Sequence, residues 1–383
     1  MLIIKNQIVI VAYNKLNDFH LKYIIMKLAF NEMVFEANNT GMLKSLLADV
    51  QISGYPLSID NWQTIEPALY AENNSLMKFR FFVESLLKRN VLLTPSLPNR
   101  LNKNITEVQN YVAKVRLAYR TSPVVYSSVI DVIGGGSSNV DILNEIAVKK
   151  RFLTHQPNKK VVDMQQLDWL YWLHDVSNYN ETITTLSVMY DISYDDGTSA
   201  VLRGKSAVIS NSVMVFCIPT GYWAVAEMEQ NSKNIVSWGV SLVDNNNVTI
   251  SEKRQYILAP VQDLPAKYLH FRNSFNVFDS LRFDGSYAES FESTSQIATN
   301  AQNENFEYDN EGFRTVKINT GRLGRGWLSY LKEVLLSEEV YMKEGDFYVK
   351  VVKANKNIGG IDTSKRDDVA VLEFRIAKTE SYS

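Results

Sequence analysis

Three consecutive glycines, Gly134–Gly136, follow an apolar run and precede a segment that reads as a short helix, within Asp131–Lys150 (DVIGGGSSNVDILNEIAVKK). Glycines so placed can lay backbone N–H groups around a phosphate at a helix start. A phosphate-binding P-loop also needs a lysine and a hydroxyl residue directly after the last glycine, to reach the phosphates and a magnesium ion. Here Gly136 is followed by Ser137, Ser138 and Asn139, and the next lysine is Lys149. A dinucleotide fingerprint needs spaced glycines inside a strand–helix–strand unit, whereas the surrounding segments read as antiparallel strands. The stretch therefore reads as a flexible corner, with Ser138 or Asn139 capping the helix.

The other reactive residue types are scattered. The four histidines, His20, His155, His174 and His270, show no metal-ligand spacing and no His-Glu-x-x-His motif. His174 ends an aromatic run and reads as a rim residue. No serine sits in a Gly-x-Ser-x-Gly elbow. Cys217, the single cysteine, can form neither an internal disulfide nor a cysteine zinc site, and it reads as a small buried hydrophobe in a strand. The acidic pairs Asp195–Asp196, Glu338–Glu339 and Asp367–Asp368 are sequence neighbours, so on a strand they point to opposite sides. Neither member of such a pair faces the other across a cleft, as two glycosidase carboxylates must; solvated turns are the expectation. No catalytic residue, cofactor or metal ligand is assigned.

Two features could mediate recognition. The run WLYWL places Trp169 and Tyr171 on one side of a strand and Trp172 on the other. With Trp223 these rings could form a sugar platform or a protein interface, one side of the strand lying in a core and the other exposed. The strip VKKRFLTHQPNKK (148–160) carries Lys149, Lys150, Arg151, Lys159 and Lys160. It has little of the aromatic interleaving of single-strand nucleic-acid grooves, and reads as a charged loop against a neighbouring acidic subunit.

The elements that must position these residues read as mostly strands. The chain has 383 residues, 45% hydrophobic and 11% aromatic, with 20 Tyr and 17 Phe, a length for two or three domains and a composition suited to pleated surfaces. The net charge of −2 gives no long-range field toward nucleic acid or an anionic membrane. No apolar run approaches the ~18 residues of a membrane span. The N-terminus does not resemble a signal peptide, so folding in a cytoplasm is expected.

Short strands are expected over 2–37 and a helix over 38–50 (Met42, Leu43, Leu46 and Leu47, with Thr40 as cap); 74–90 fits either a helix or a strand, and its length favours a helix with Leu76, Phe79, Val83, Leu86 and Leu87 on one side. Proline-bearing boundaries fall at 92–104 and 259–270. Hairpins are expected at Asp195–Gly197 and Asn245–Asn247, because Gly and Asn tolerate positive φ. In the last part, strands are expected near 277–284, 313–318, 346–353 and 370–377, with a helix at 326–337 carrying Trp327, Leu328, Leu331, Val334 and Leu335. The polar stretch 289–312 reads as a long exposed hairpin or arm. The fold class is mainly β: two or three antiparallel β-sandwich-like domains with a few short helices. The expected divisions are 1–100, an N-terminal β domain with helical decorations; 101–265, a central β-sandwich; and 266–383, a C-terminal β domain with one short helix.

Four stretches carry a resemblance: RFLTHQPNKKVVDMQQLDWLYWL (151–173), IPTGYWAV (218–225), RNSFNVFDSLRFDGSYAES (272–290), and the C-terminal part (317–379), with its Asn-Thr-Gly turn, Trp-Leu helix and closing LEFRIA strand. Together, over about residues 105–379, they resemble a family of structural proteins from the tail or baseplate region of Bacteroidetes phages and prophages. The resemblance implies a non-enzymatic virion component, made in the host cytoplasm and built into the phage tail, with no catalytic residues to carry over. Its partners would be copies of itself, in a ring or other symmetric oligomer, and other tail proteins. The alternative is a carbohydrate-binding adhesin or receptor-binding module that meets a host surface glycan through Trp169, Tyr171, Trp172 and Trp223. A third reading is a glycoside-cleaving enzyme.

Overall fold

Alternation of buried and exposed side chains, rather than helical periodicity, governs the N-terminal third. The computed structural model describes residues 10–11, 26–28, 34–38, 45–54, 62–72, 78–83, 96–98, 102–109, 111–121, 123–127, 129–134, 146, 150–175, 183–210, 213–229, 233–260, 266–321, 323–354, 367–376 and 380–382. In chain order the first strands are β1 (Ile10–Val11), β2 (Met26–Leu28), β3 (Val34–Asn38), β4 (Ser45–Gly54), β5 (Gln63–Glu72), β6 (Lys78–Phe82), β7 (Thr106–Glu107), β8 (Val112–Tyr119), β9 (Val125–Tyr126) and β10 (Ile130–Ile133).

Where they are described, the two segments expected as helices are strands, β4 and β6; Met42, Leu43, Leu76, Leu86 and Leu87 lie outside the described residues. Leu46, Ala48 and Val50 are buried while Leu47 is 39% exposed, a period of two. Likewise Phe79, Phe81 and Val83 are buried and Phe82 faces out. Both segments carry apolar residues that satisfy either period. Flanking strands decide between them, since β4 is held antiparallel to β5 on one side and to β8 on the other. Thr40, the expected cap, lies outside the described residues.

One sheet runs β2-β10-β8-β4-β5 with β9 on β8, and a second runs β1-β3-β6. Their inward residues, among them Phe35, Phe79, Phe81, Val50, Val115 and Tyr119, share one core, as two sheets of a sandwich do. Strand pairing does not stop at residue 100. β8 and β10, at 112–133, complete this sheet, so the boundary expected at 101 cuts across it.

The central strands are β11 (Lys159–Val162), β12 (Trp169–Asp175), β13 (Thr185–Tyr194), β14 (Ser199–Val208), β15 (Val213–Pro219), β16 (Ile235–Val243) and β17 (Arg254–Leu258), with a short helix α1 (Tyr222–Val225). They form a sheet β11-β17-β16-β13-β14 and a smaller one β12-β15-β7. Leu170, Trp172, Phe216 and Ile218 of the small sheet pack on Val188, Tyr190, Trp238 and Val240 of the large one. Its other face, Trp169, Tyr171, Leu173, Val215 and Cys217, packs on Tyr111, Ile133, Leu153, Phe275 and Phe278. A strand covered on both faces gains by being apolar at every position, which accounts for the unbroken runs WLYWL and VMVFCI. Both expected turns are present, with Gly197 at φ +82° and Asn247 at φ +62°.

The last strands are β18 (Lys267–Arg272), β19 (Phe278–Phe283), β20 (Tyr287–Thr299), β21 (Asn305–Asn319), β22 (Leu323–Gly324), β23 (Val340–Glu344), β24 (Phe347–Lys353), β25 (Asp367–Asp368), β26 (Val371–Ile376) and β27 (Glu380–Tyr382), with helix α2 (Arg325–Leu336). The main sheet runs β19-β18-β23-β24-β26-β21-β20, with β27 on β21. Tyr330, Leu331 and Val334 of α2 cover Leu269, Phe271, Ile318, Met342 and Phe374. The strands and helix expected in this part are present; β18 lies in the stretch read as a boundary. The polar stretch lies in a long hairpin, β20–β21, whose first strand is exposed along nearly its whole length, while the end of β21 joins the core of the sheet. The protein is mainly β, with two short α-helices among the described residues. Among the described strand pairs, only β2 with β10 and β11 with β17 run parallel.

Candidate functional site

Two places concentrate polar chemistry: a buried seam and an open cleft beside it. The seam joins the central strands to the β18–β19 hairpin. Lys160 Nζ donates to Asp168 Oδ1 at 2.8 Å, to the Ser280 carbonyl at 2.7 Å and to Ser280 Oγ at 3.0 Å. Ser280 Oγ in turn donates to Asp168 Oδ1 at 2.6 Å and accepts from Gln166 Nε2 at 3.0 Å. Lys160 is 4% exposed and Asp168 1%. All three ammonium donors are thereby engaged inside the chain.

A few residues away, the Asp279 carboxylate accepts from Thr154 Oγ1 and Asn273 Nδ2, both at 2.9 Å, and from the Tyr330 hydroxyl of α2. Burial raises this carboxyl from the usual 3.8 to about 6, against the pull of those donors and of the Lys160 charge. Asn273 also donates to the Leu153 carbonyl at 2.9 Å. The loop 152–156, β19 and α2 are thus tied at one carboxylate.

The cleft, about 440 Å³, is lined by Asn102, Asn104, Gln109, Arg272, Trp169, Tyr171 and Cys217 among others. Burial pushes the Cys217 thiol up to about 12, so it is not a thiolate nucleophile near neutral pH. Burial also raises the Tyr171 hydroxyl well above its usual value. The Arg272 guanidinium binds Glu339, donates to the Asn276 carbonyl at 3.3 Å and lies over the Phe278 ring at 4.4 Å. What the cleft can supply is amide and guanidinium hydrogen bonding to a small polar ligand. Among the described residues, no group of three or more His, Cys, Asp or Glu side chains is placed to hold a metal ion.

The recognition residues read from the sequence are dispersed. Trp169, Tyr171 and Trp172 are each 2% exposed, which corrects the expectation of an outward face on this strand. A sugar stacks on an open ring face, and none is available there. Trp172 meets Phe152 edge-on at 5.5 Å in the core between the two central sheets. Trp223, on α1, packs half-buried against the cluster that holds Trp169 and Tyr171. There Gly221 lets it close down, since a Cβ at that position would lie 2.9 Å from the indole. Arg151 and Lys159 are exposed, but Lys160 is a seam residue.

The basic strip is therefore not one charged loop. Its end forms β11, where Lys159 and Lys160 point to opposite sides. His174, expected at a rim, is buried, and burial lowers its pKa. His270 is also buried, against Trp169 at 5.3 Å between rings and bonded to the Tyr348 hydroxyl at 3.0 Å. Desolvation and the charges of Lys160 and Lys343 lower it to about 3.

The seam residues Thr154, Asn273 and Asp279 are not among those the sequence singles out. Their sequence signal is faint: polar residues interrupting apolar positions in RNSFNVFDS, with Tyr330 on the apolar stripe of a helix. The triple-glycine corner lies outside the described residues apart from Gly134, as does the expected helix after it apart from Ile146.

In comparisons with known proteins, the chain matches no family model and no curated sequence.

Proposed function

We propose that this chain is a non-enzymatic structural subunit of a bacteriophage tail, from the distal, baseplate or tip region, that assembles with copies of itself and with other tail proteins through β surfaces. The observation that carries the reading is the β20–β21 hairpin. Its strands are 13 and 15 residues long, and β20 is exposed on both faces along nearly its whole length. Phe291 and Ile297 on it are 55% and 66% exposed. The base of the hairpin is anchored, since β21 pairs with β26 and buries Val316 and Ile318; β20 itself buries little in the monomer, and a two-stranded ribbon gains little stability on its own. Such a ribbon becomes useful when a neighbour covers it.

The seam supports the same reading, since its charged groups bind one another and hold layers together, and a general acid or base must instead reach a substrate. The test is mass spectrometry of tail-bearing particles from the bacterial host. Peptides of this chain should appear in fixed proportion to other tail proteins; particles that lack it would refute the reading.

One observation favours the adhesin as a second reading: the cleft, with Asn102, Asn104, Gln109 and Arg272 around it. Saturable glycan-array binding lost in Gln109→Ala, with Trp172→Ala binding normally, would favour it.

A further inference from the structure

The hairpin is acidic. Its strands and turn, Tyr287–Asn319, carry six carboxylates (Glu289, Glu292, Glu304, Glu307, Asp309 and Glu311) against Arg314 and Lys317. Taking that −4 from the chain's −2 leaves the rest at +2, and Glu289 is paired with Lys267 and Arg314. β20 ends its sheet and pairs only with β21 among the described strands, so its other side is a sheet edge that no described strand covers.

A complementary edge exists elsewhere on the molecule. β14 ends the five-stranded central sheet and, among the described strands, pairs only with β13. It is ten residues long, SAVLRGKSAV, with Arg203 and Lys205 and no acid. Its outward face carries Val201 and Val208, 65% and 73% exposed. The other ten-residue edge, β5, contains Pro67 and the acidic Glu66 and Glu72. Proline removes a donor from an edge, and acids there would repel the hairpin.

We infer that β20 of one copy adds to the open edge of β14 in a neighbouring copy, extending the central sheet across the contact. The occupant is a second copy of this chain, because the two edges are similar in length and opposite in charge. The contact joins two different surfaces, so it is head-to-tail, and closes into a ring or propagates as a fibre. This rests on the self-assembly part of the reading above and holds whatever structure the assembly belongs to.

The experiment uses the full chain. Ser293→Cys protein is mixed with Val201→Cys or Val208→Cys protein and oxidised; Cys217, buried with its thiol pushed up to about 12, stays silent. Mixed arm–edge dimers are expected. In sedimentation velocity, Arg203→Glu/Lys205→Glu should weaken association by about tenfold or more. Mixing it with Glu292→Lys/Glu307→Lys protein should restore association. Arg203 also bonds Ser187 and Asn247, so Lys205→Glu alone serves if the double variant misfolds. A wild type that assembles with no arm–edge crosslink, with arm–arm crosslinks alone, or with no loss on charge reversal overturns the inference and leaves self-assembly standing. A wild type that stays monomeric overturns both.

Discussion

Replacing Lys160 with methionine isolates the value of the seam. The ammonium makes three hydrogen bonds of 2.7 to 3.0 Å to groups that are themselves buried. Methionine fills most of the volume but leaves the Asp168 carboxylate, 1% exposed, without its cation. Breaking a buried pair from one side costs about 3–5 kcal/mol, because the remaining charge has no compensation. In Lys160→Met/Asp168→Asn both charges are gone, and the asparagine oxygen still accepts from Ser280 Oγ. The expected loss for the double variant is about 1–2 kcal/mol, about 2–3 kcal/mol less than for Lys160→Met alone. Urea unfolding followed by tryptophan fluorescence measures wild type and both variants. A single variant within about 1 kcal/mol of wild type, or a double variant less stable than the single one, would refute the reasoning.

Three further outcomes follow from the packing. Leu46→Asp should cost about 3 kcal/mol or more and Leu47→Asp less than about 1, since only Leu46 faces the core; equal losses in chemical denaturation would favour a helical stripe. The Asp279 carboxyl holds its proton to about pH 6 in the folded state, against the usual 3.8. Its contribution is therefore full below pH 4 and is lost as pH rises through 6, by about 3 kcal/mol. Asp279→Asn should remove that slope from a pH series of unfolding midpoints, and an unchanged slope would contradict it. Trp172→Ala should cost about 3–5 kcal/mol in the same denaturation assay and leave glycan-array signals unchanged, because the ring fills a core.

Local rules wrote much of this fold into the chain. The Asp195–Gly197 and Asn245–Asn247 turns announce themselves because positive φ is chemically restricted, and the stripe of α2 because one side must be apolar. β4 and β6 were illegible for a different reason. Leu46-Leu47 and Phe81-Phe82 fit both periods, and only partners far along the chain choose between them. β12 misled through its richness: seven residues buried on both faces look like an aromatic display until the second covering layer, from Tyr111 and Phe275–Phe278, is known. Lys160 was hidden by its neighbours, since its partners Asp168 and Ser280 lie 8 and 120 residues away. In the candidate site, then, residue types were visible and their direction was not.

The central claim is that this polypeptide works by presenting β surfaces to other copies. Native mass spectrometry of the purified full-length chain across a range of concentration and salt tests it most directly. The expected result is a discrete oligomer or ordered fibre that dissociates as ionic strength screens the acidic hairpin from its basic edge. A monomer at every concentration and salt level would contradict it.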